Sequence, residues 1–134
     1  MPNFGPAYSF VAGGDIRTAR FVKLDTTIGR VLEADAGEFV IGVGQNYSYD
    51  APTSTSDTDA ARSGEMIGVY GVGQECYLTA GENNIAVGAI LKSDAEGRGA
   101  AAAAGAIYGA LALEASTAVG QLIRVLVQPG ELET

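Results

Sequence analysis

The sequence predicts an all-β protein: a single compact β-barrel or β-sandwich of short strands, with an extended N-terminal arm and one long polar loop. Three observations carry this expectation. Apolar residues alternate with a period of two through most of the chain. Turn signals interrupt them at short intervals, GG at 13–14, AGE at 80–82, SDAEG at 93–97 and TAVG at 117–120. Many of the nineteen glycines fall inside strand patterns, where they mark bends, bulges or close backbone approach.

Residues 1–14, MPNFGPAYSFVAGG, read as the arm, because Phe4, Tyr8 and Phe10 are interspersed with proline and glycine. Packing of these rings on a neighbouring subunit would explain large apolar groups on such a segment, since aromatic anchors dominate many interfaces. Folding back on their own domain is the open alternative. Residues 15–134 form the β domain. In Glu38–Gly44, Phe39, Ile41 and Val43 share one face and Val40, Gly42 and Gly44 the other. The polar stretch from about 46 to 63, NYSYDAPTSTSDTDAARS, is a long surface loop with Tyr47 and Tyr49 as its large apolar groups.

Further along, Cys76, Leu78 and Ala80 face one way and Glu75, Tyr77 and Thr79 the other, so Cys76 is expected as a buried small hydrophobe. The fragments IGVGQN at 41–46 and YGVGQE at 70–75 echo one another. Five alanines at 100–104 have helix propensity, but flanking glycines and shortness favour a loop or an alanine-faced strand. In Ile107–Glu114, Ile107, Gly109, Leu111 and Leu113 oppose Tyr108, Ala110, Ala112 and Glu114. The closing strand Leu122–Val127 is apolar on both faces and belongs near the middle of a sheet.

Composition restricts function. The net charge of −8 disfavours nonspecific nucleic-acid binding by phosphate neutralisation. The N-terminus has neither a basic region nor a long apolar stretch, so no secretory signal is expected, and the segment Gly99–Leu113 is too short to span a membrane. Without histidine, Ser-His and Cys-His pairs, HExxH metal sites and His proton shuttles are excluded. The lysines, Lys23 and Lys92, sit at strand ends as solvated amines. GVYGVGQ at 68–74 has neither the spacing nor the following helix of a phosphate loop. Asp50, Asp57 and Asp59 could gather around calcium, but lack the order of an EF-hand loop. Glu33, Glu38, Glu65, Glu75 and Glu114 are the carboxylates that a glycosidase reading would need to pair, and the chain has no tryptophan platform. No catalytic, cofactor or metal residue is therefore expected, and the protein is expected to act by contact rather than as an enzyme.

From Arg17 to Gln128, the ordered pieces VKLD, IGVG, the acidic GE turn, AGENNIAVGAILKSDAEG and GALALEASTAVGQLIRVLV together resemble the small bacteriophage capsid decoration, or cement, proteins. The resemblance implies a mostly β homotrimer on the outer surface of the virion capsid, present in the host cytoplasm before assembly. It implies the major capsid protein and further copies of itself as partners, with no nucleic acid, membrane or cofactor. Capsid or inter-subunit contact would then fall on Phe4, Tyr8, Phe10, Tyr47 and Tyr49. The alternatives are a head-to-tail or tail structural component, and a free calcium- or glycan-binding β domain.

Overall fold

The computed structural model describes residues 8–45 and 59–131, and these residues are built from twelve strands. Five of them close into a barrel: β1 (Tyr8–Ala12), β4 (Arg30–Glu33), β3 (Arg20–Leu24), β5 (Gly42–Gln45) and β7 (Met66–Tyr70), in that order around the wall. β1 runs parallel to β4 and antiparallel to β7, which completes the circle. The second unit is an antiparallel sheet in the order β10 (Gly99–Ala101), β9 (Ile90–Ser93), β11 (Ile107–Ala112), β12 (Leu122–Glu131) and β8 (Glu75–Thr79). Its two ends meet at the bridge between Ala80 and Gly99, so this sheet also curls almost shut. A short pair, β2 (Ile16–Arg17) with β6 (Asp59–Ala61), covers the side of the barrel.

Strand alternation explains how one wall serves two cores. On β3, Val22 belongs to the barrel interior with Ala12, Ile16, Val31, Ala61, Ile67 and Val69. Its neighbour Phe21 turns the other way, into the larger core with Val43, Cys76, Leu78, Leu91 and Val125. On β5, Val43 joins that larger core while Gly44 faces the barrel, where an added Cβ would lie 2.9 Å from Ile67 Cδ1. A five-stranded barrel is too narrow for a large residue on every inward position, and glycine fills this one. The GVG text at 42–44 therefore marks a strand packed on both sides, whereas its echo at 71–73 forms the turn between β7 and β8.

A single turn type is used again and again. Seven of the eight positive-φ glycines, at 29, 37, 64, 73, 88, 105 and 120, occupy the third position of a four-residue turn closed by a backbone hydrogen bond from the fourth residue to the first. That is the type II geometry, which demands a residue free to adopt positive φ. Six of these turns deliver the chain straight into β4, β7, β8, β9, β11 or β12. In three, the fourth side chain folds back and accepts from the backbone N–H of the first residue: Glu38 from Asp35 at 2.7 Å, Glu65 from Arg62 at 2.7 Å and Gln74 from Gly71 at 2.9 Å. Each such turn satisfies two polar groups that would otherwise compete with the ladder.

The all-β, barrel-forming expectation is met, and two details are corrected. The arm expected over residues 1–14 is a barrel strand at Tyr8–Ala12, paired on both sides, so cutting at residue 14 would open the barrel. The proline and glycine that suggested irregularity lie before Tyr8 and after Ala12, while Phe10 and Ala12 keep strand alternation. The polar loop expected over 46–63 gives way at Asp59–Ala61 to β6, which pairs with β2. Residues 1–7 and 46–58, with Phe4, Tyr47 and Tyr49, lie outside the described residues.

Candidate functional site: a contact surface

Of the five residues expected at a contact, the structure places two. Tyr8 begins β1 opposite Val69, and Phe10 stands opposite Ile67, half-buried against the barrel core. Phe10 is thus committed to its own domain rather than extended toward another molecule. Five of the exposed large apolar groups, Leu24, Phe39, Val72, Leu113 and Leu122, lie in two other regions.

The first is one end of the barrel. Phe10, Leu24, Ile41, Val69, Gly71 and Val72 line a hollow of about 400 Å³. Leu24 and Ile41 continue it into a second hollow of about 450 Å³ that includes Lys23, Glu38, Phe39 and Ile107. Leu24 is 58% exposed, Phe39 60% and Val72 72%. At its edge, Lys23 Nζ donates to both carboxylate oxygens of Glu38 at 2.8 Å. This hydrogen bond, with the N–H of Asp35, holds the Glu38 carboxyl below its ordinary range.

The second region is the outward face of the curled sheet. Ala110 and Ala112 point into the core, opposite Val127 and Val125. The alternate row, Ile90, Leu111 and Leu126, therefore lies on the outside and is half-buried, with Leu113 and Leu122 more exposed beside it. Arg124 Nη2 pairs with Glu75 Oε1 at 2.9 Å across this face. Both partners are substantially exposed, so the pair orients side chains more than it stabilises the fold. Sequence alternation separated Leu111 and Leu113 from Ala110 and Ala112, but the register irregularity between Tyr108 and Ala110 turns Gly109, expected on the leucine face, toward the core, and volume would have buried the leucines. The small alanines are inside because β11 lies close over the barrel wall: a Cβ on Gly109 would be 2.4 Å from Val40 Cγ2 and 2.7 Å from the Phe21 ring.

Charged side chains converge on the junction between the two units. Arg17 forms a two-point ion pair with Glu33, and its backbone N–H donates to the same carboxylate at 3.0 Å. Arg20, almost fully buried, donates from Nη1 to the carbonyl of Glu96 at 2.8 Å, and Phe21 N donates to the carbonyl of Gly97 at 2.7 Å. The β9–β10 turn is itself closed by Asp94, which accepts from the N–H groups of Glu96 and Arg98 and pairs with the Arg98 guanidinium. The SDAEGR signal thus makes the turn by which the second sheet is held to the barrel.

The remaining carboxylates are engaged separately. Glu65 caps its turn, while Glu75 and Glu114 both meet Arg124, the latter by accepting its backbone N–H at 2.8 Å. Asp50 and Asp57 lie outside the described residues, among which no group of three or more acidic or cysteine side chains is placed to hold a metal. Cys76 is fully buried, and burial pushes its thiol from an ordinary 9.0 up to about 12. The folded chain then keeps its proton after the unfolded chain has lost it. Stability is expected to hold below about pH 9 and to fall through the interval up to about 12, by about 1.4 kcal/mol per pH unit from this group. Urea unfolding across that interval, compared with Cys76→Ala, checks this; identical slopes would refute it.

Neither a protein-family model nor a curated protein sequence matches the chain. Among solved structures, it is similar to the head fiber gp8.5 N base in bacteriophage phi29, with a TM-score of 0.57 and 15% sequence identity. The match covers 96% of this chain and 98% of that one, so the two share a fold from end to end.

Proposed function

We propose that the chain is a structural protein of a bacteriophage head. More specifically, we read it as a homotrimeric decoration protein that binds the outside of the shell and stabilises contacts between major capsid proteins. The observation that carries this reading is the end-to-end likeness to a head fiber base, which leaves almost no part of either chain unmatched. The ordered strand and turn motifs that resemble decoration proteins point the same way.

The reading requires contact and no reacting centre. One modest surface repeated by symmetry becomes strong, because each formed contact raises the effective concentration for the next. The outward face of the second sheet, with Leu111, Leu113, Leu122 and Leu126, suits this use as an apolar patch on an acidic protein. A net charge of −8 also limits attraction to packaged nucleic acid.

Rebinding tests the proposal. The purified chain is expected to have the solution mass of three copies and to bind heads that lack it, and Leu113→Asp is expected to weaken that binding without unfolding the chain. A stable monomer with no affinity for such heads would sink the reading. A copy number near six or twelve per particle, rather than hundreds, would favour a head-to-tail or tail component. Heat on titration with calcium or a glycan panel would favour a free binding domain.

A further inference from the structure

The open end of the barrel carries apolar groups that the fold itself does not require. β3 and β7 finish there and β1 and β5 begin there, an arrangement set by the antiparallel pairings of β5 with β3 and β7 and of β1 with β7. Two tight turns project from it. In Thr27–Arg30 and Gly71–Gln74, Ile28 and Val72 hold the second position, just before a positive-φ glycine, and are 98% and 72% exposed. The first turn is held beside β1 by the Val11 N–H, which donates to the Gly29 carbonyl at 3.0 Å. Elsewhere the same turn takes Ser63 or Ala104 at the second position, since only the third residue must adopt positive φ. The turn alone does not explain a branched apolar side chain at either tip.

The end combines these projections with recesses. Its two hollows, of about 400 and 450 Å³, meet at Leu24 and Ile41. A surface that carries both knob and hole is complementary to its own copy. The charged groups nearest to it come in opposite signs: Lys23 pairs with Glu38 in the wall of the hollow, and Asp25 and Arg30 close the loop that carries Ile28. Two copies therefore meet there without setting like charges against each other, although each chain carries −8 overall. Area points the same way. Leu24, Ile28, Phe39 and Val72, with their half-buried neighbours, offer apolar surface on the order of 400–500 Å². That equals the apolar share of a specific interface, in which about 800 Å² per partner is about 60% apolar.

We propose that the open end of the barrel is the surface through which copies of this chain associate, with Ile28, Phe39 and Val72 of one copy packing over the joined hollows of another. The outward face of the second sheet, with Leu113 and Leu122, is left for the shell. The inference deepens the self-association part of the proposed function, by naming the surface that joins the copies, and needs no phage head to hold.

Sedimentation equilibrium of the full-length chain over a wide concentration range tests it. Oligomers are expected, and Val72→Arg and Ile28→Arg are each expected to raise the dissociation constant by about tenfold or more, because an unpaired charge enters the contact. Both sit at turn positions where the fold accepts a polar residue, so the circular dichroism spectrum should not change. Leu113→Asp is expected to leave the dissociation constant as it was. A chain that stays monomeric at every concentration would overturn the proposal, and loss of head binding by monomeric Val72→Arg would then give the barrel end to the shell. Oligomers dissolved by Leu113→Asp but untouched by Val72→Arg and Ile28→Arg would overturn it as well. Oligomers that depend on Val72 and Ile28 but ignore heads lacking the chain would uphold it and remove the decoration reading alone.

Discussion

Phe21→Ala is expected to lower the unfolding free energy by about 3–5 kcal/mol, enough to threaten the native state of a small domain. The side chain is fully buried and lies in the core shared by the barrel and the curled sheet. Its backbone is also the point at which the β9–β10 turn is tied to the barrel, through the N–H that donates to Gly97. Removing the ring leaves a cavity between two units whose backbones are already fixed by hydrogen bonds, so collapse can fill little of it. The neighbouring Gly109 sharpens the test. Its missing Cβ would sit 2.7 Å from Phe21 Cε1, so Gly109→Ala should overpack the intact protein by about 1–3 kcal/mol and cost less once the ring is gone. Urea titration of the four members of this double-mutant cycle is the measurement. Strict additivity, or a Phe21→Ala cost below about 1 kcal/mol, would show that the two units are not locked together at this ring.

Gly42→Ala is the second large effect, expected to cost at least ~3 kcal/mol, at the upper end for overpacking. A Cβ at this position would lie 2.0 Å from the carbonyl oxygen of Tyr70 and 3.0 Å from its carbonyl carbon. Those are backbone atoms of β7, and no rotamer change relieves the clash. β5 and β7 would have to separate where Val43 pairs with Tyr70, which opens the barrel beside its apolar end. Gly44→Ala provides the comparison two residues away. There the nearest atom is Ile67 Cδ1 at 2.9 Å, the movable end of a side chain, and the cost should be nearer 1 kcal/mol. Urea midpoints of the two variants give the order directly. A Gly42 variant as stable as the Gly44 variant would contradict the close packing of these strands.

How much of this was legible in the chain varies with the range of the interaction responsible. The buried side of β8 was plain, because Cys76, Leu78 and Ala80 alternate with polar or aromatic partners, and a period of two is a local property of extended backbone. The TAVG and SDAEG reversals were equally plain, since glycine before a strand is the local requirement of positive φ. β1 was missed because Tyr8–Ala12 is short and bracketed by Pro6, Gly13 and Gly14. Its strand character comes from two long-range partners, β4 and β7, which no window around Phe10 contains. β6 was hidden in polar text for the same reason, being paired with β2 more than forty residues earlier.

The contact surface shows the same division. Alternation sorted Ala110–Glu114 into two faces, though it failed across the irregularity between Tyr108 and Ala110, and which face is inside depends on the distance to the neighbouring layer. That distance is set by Phe21 and Val40 crowding against Gly109. Hence alanines are buried and leucines are left outside, against the ordinary preference for burying the larger group.

By itself, then, the amino-acid order determined an all-β chain, its turns, its alternating faces and the inertness of its cysteine, because each follows from backbone geometry or side-chain polarity within a few residues. Only the tertiary structure decided that one wall would serve two cores, that the first described strand would close a barrel, and that large apolar groups would gather at its open end. These outcomes depend on which segments meet across long sequence separations, and the energy that selects them resides in contacts that no local pattern records.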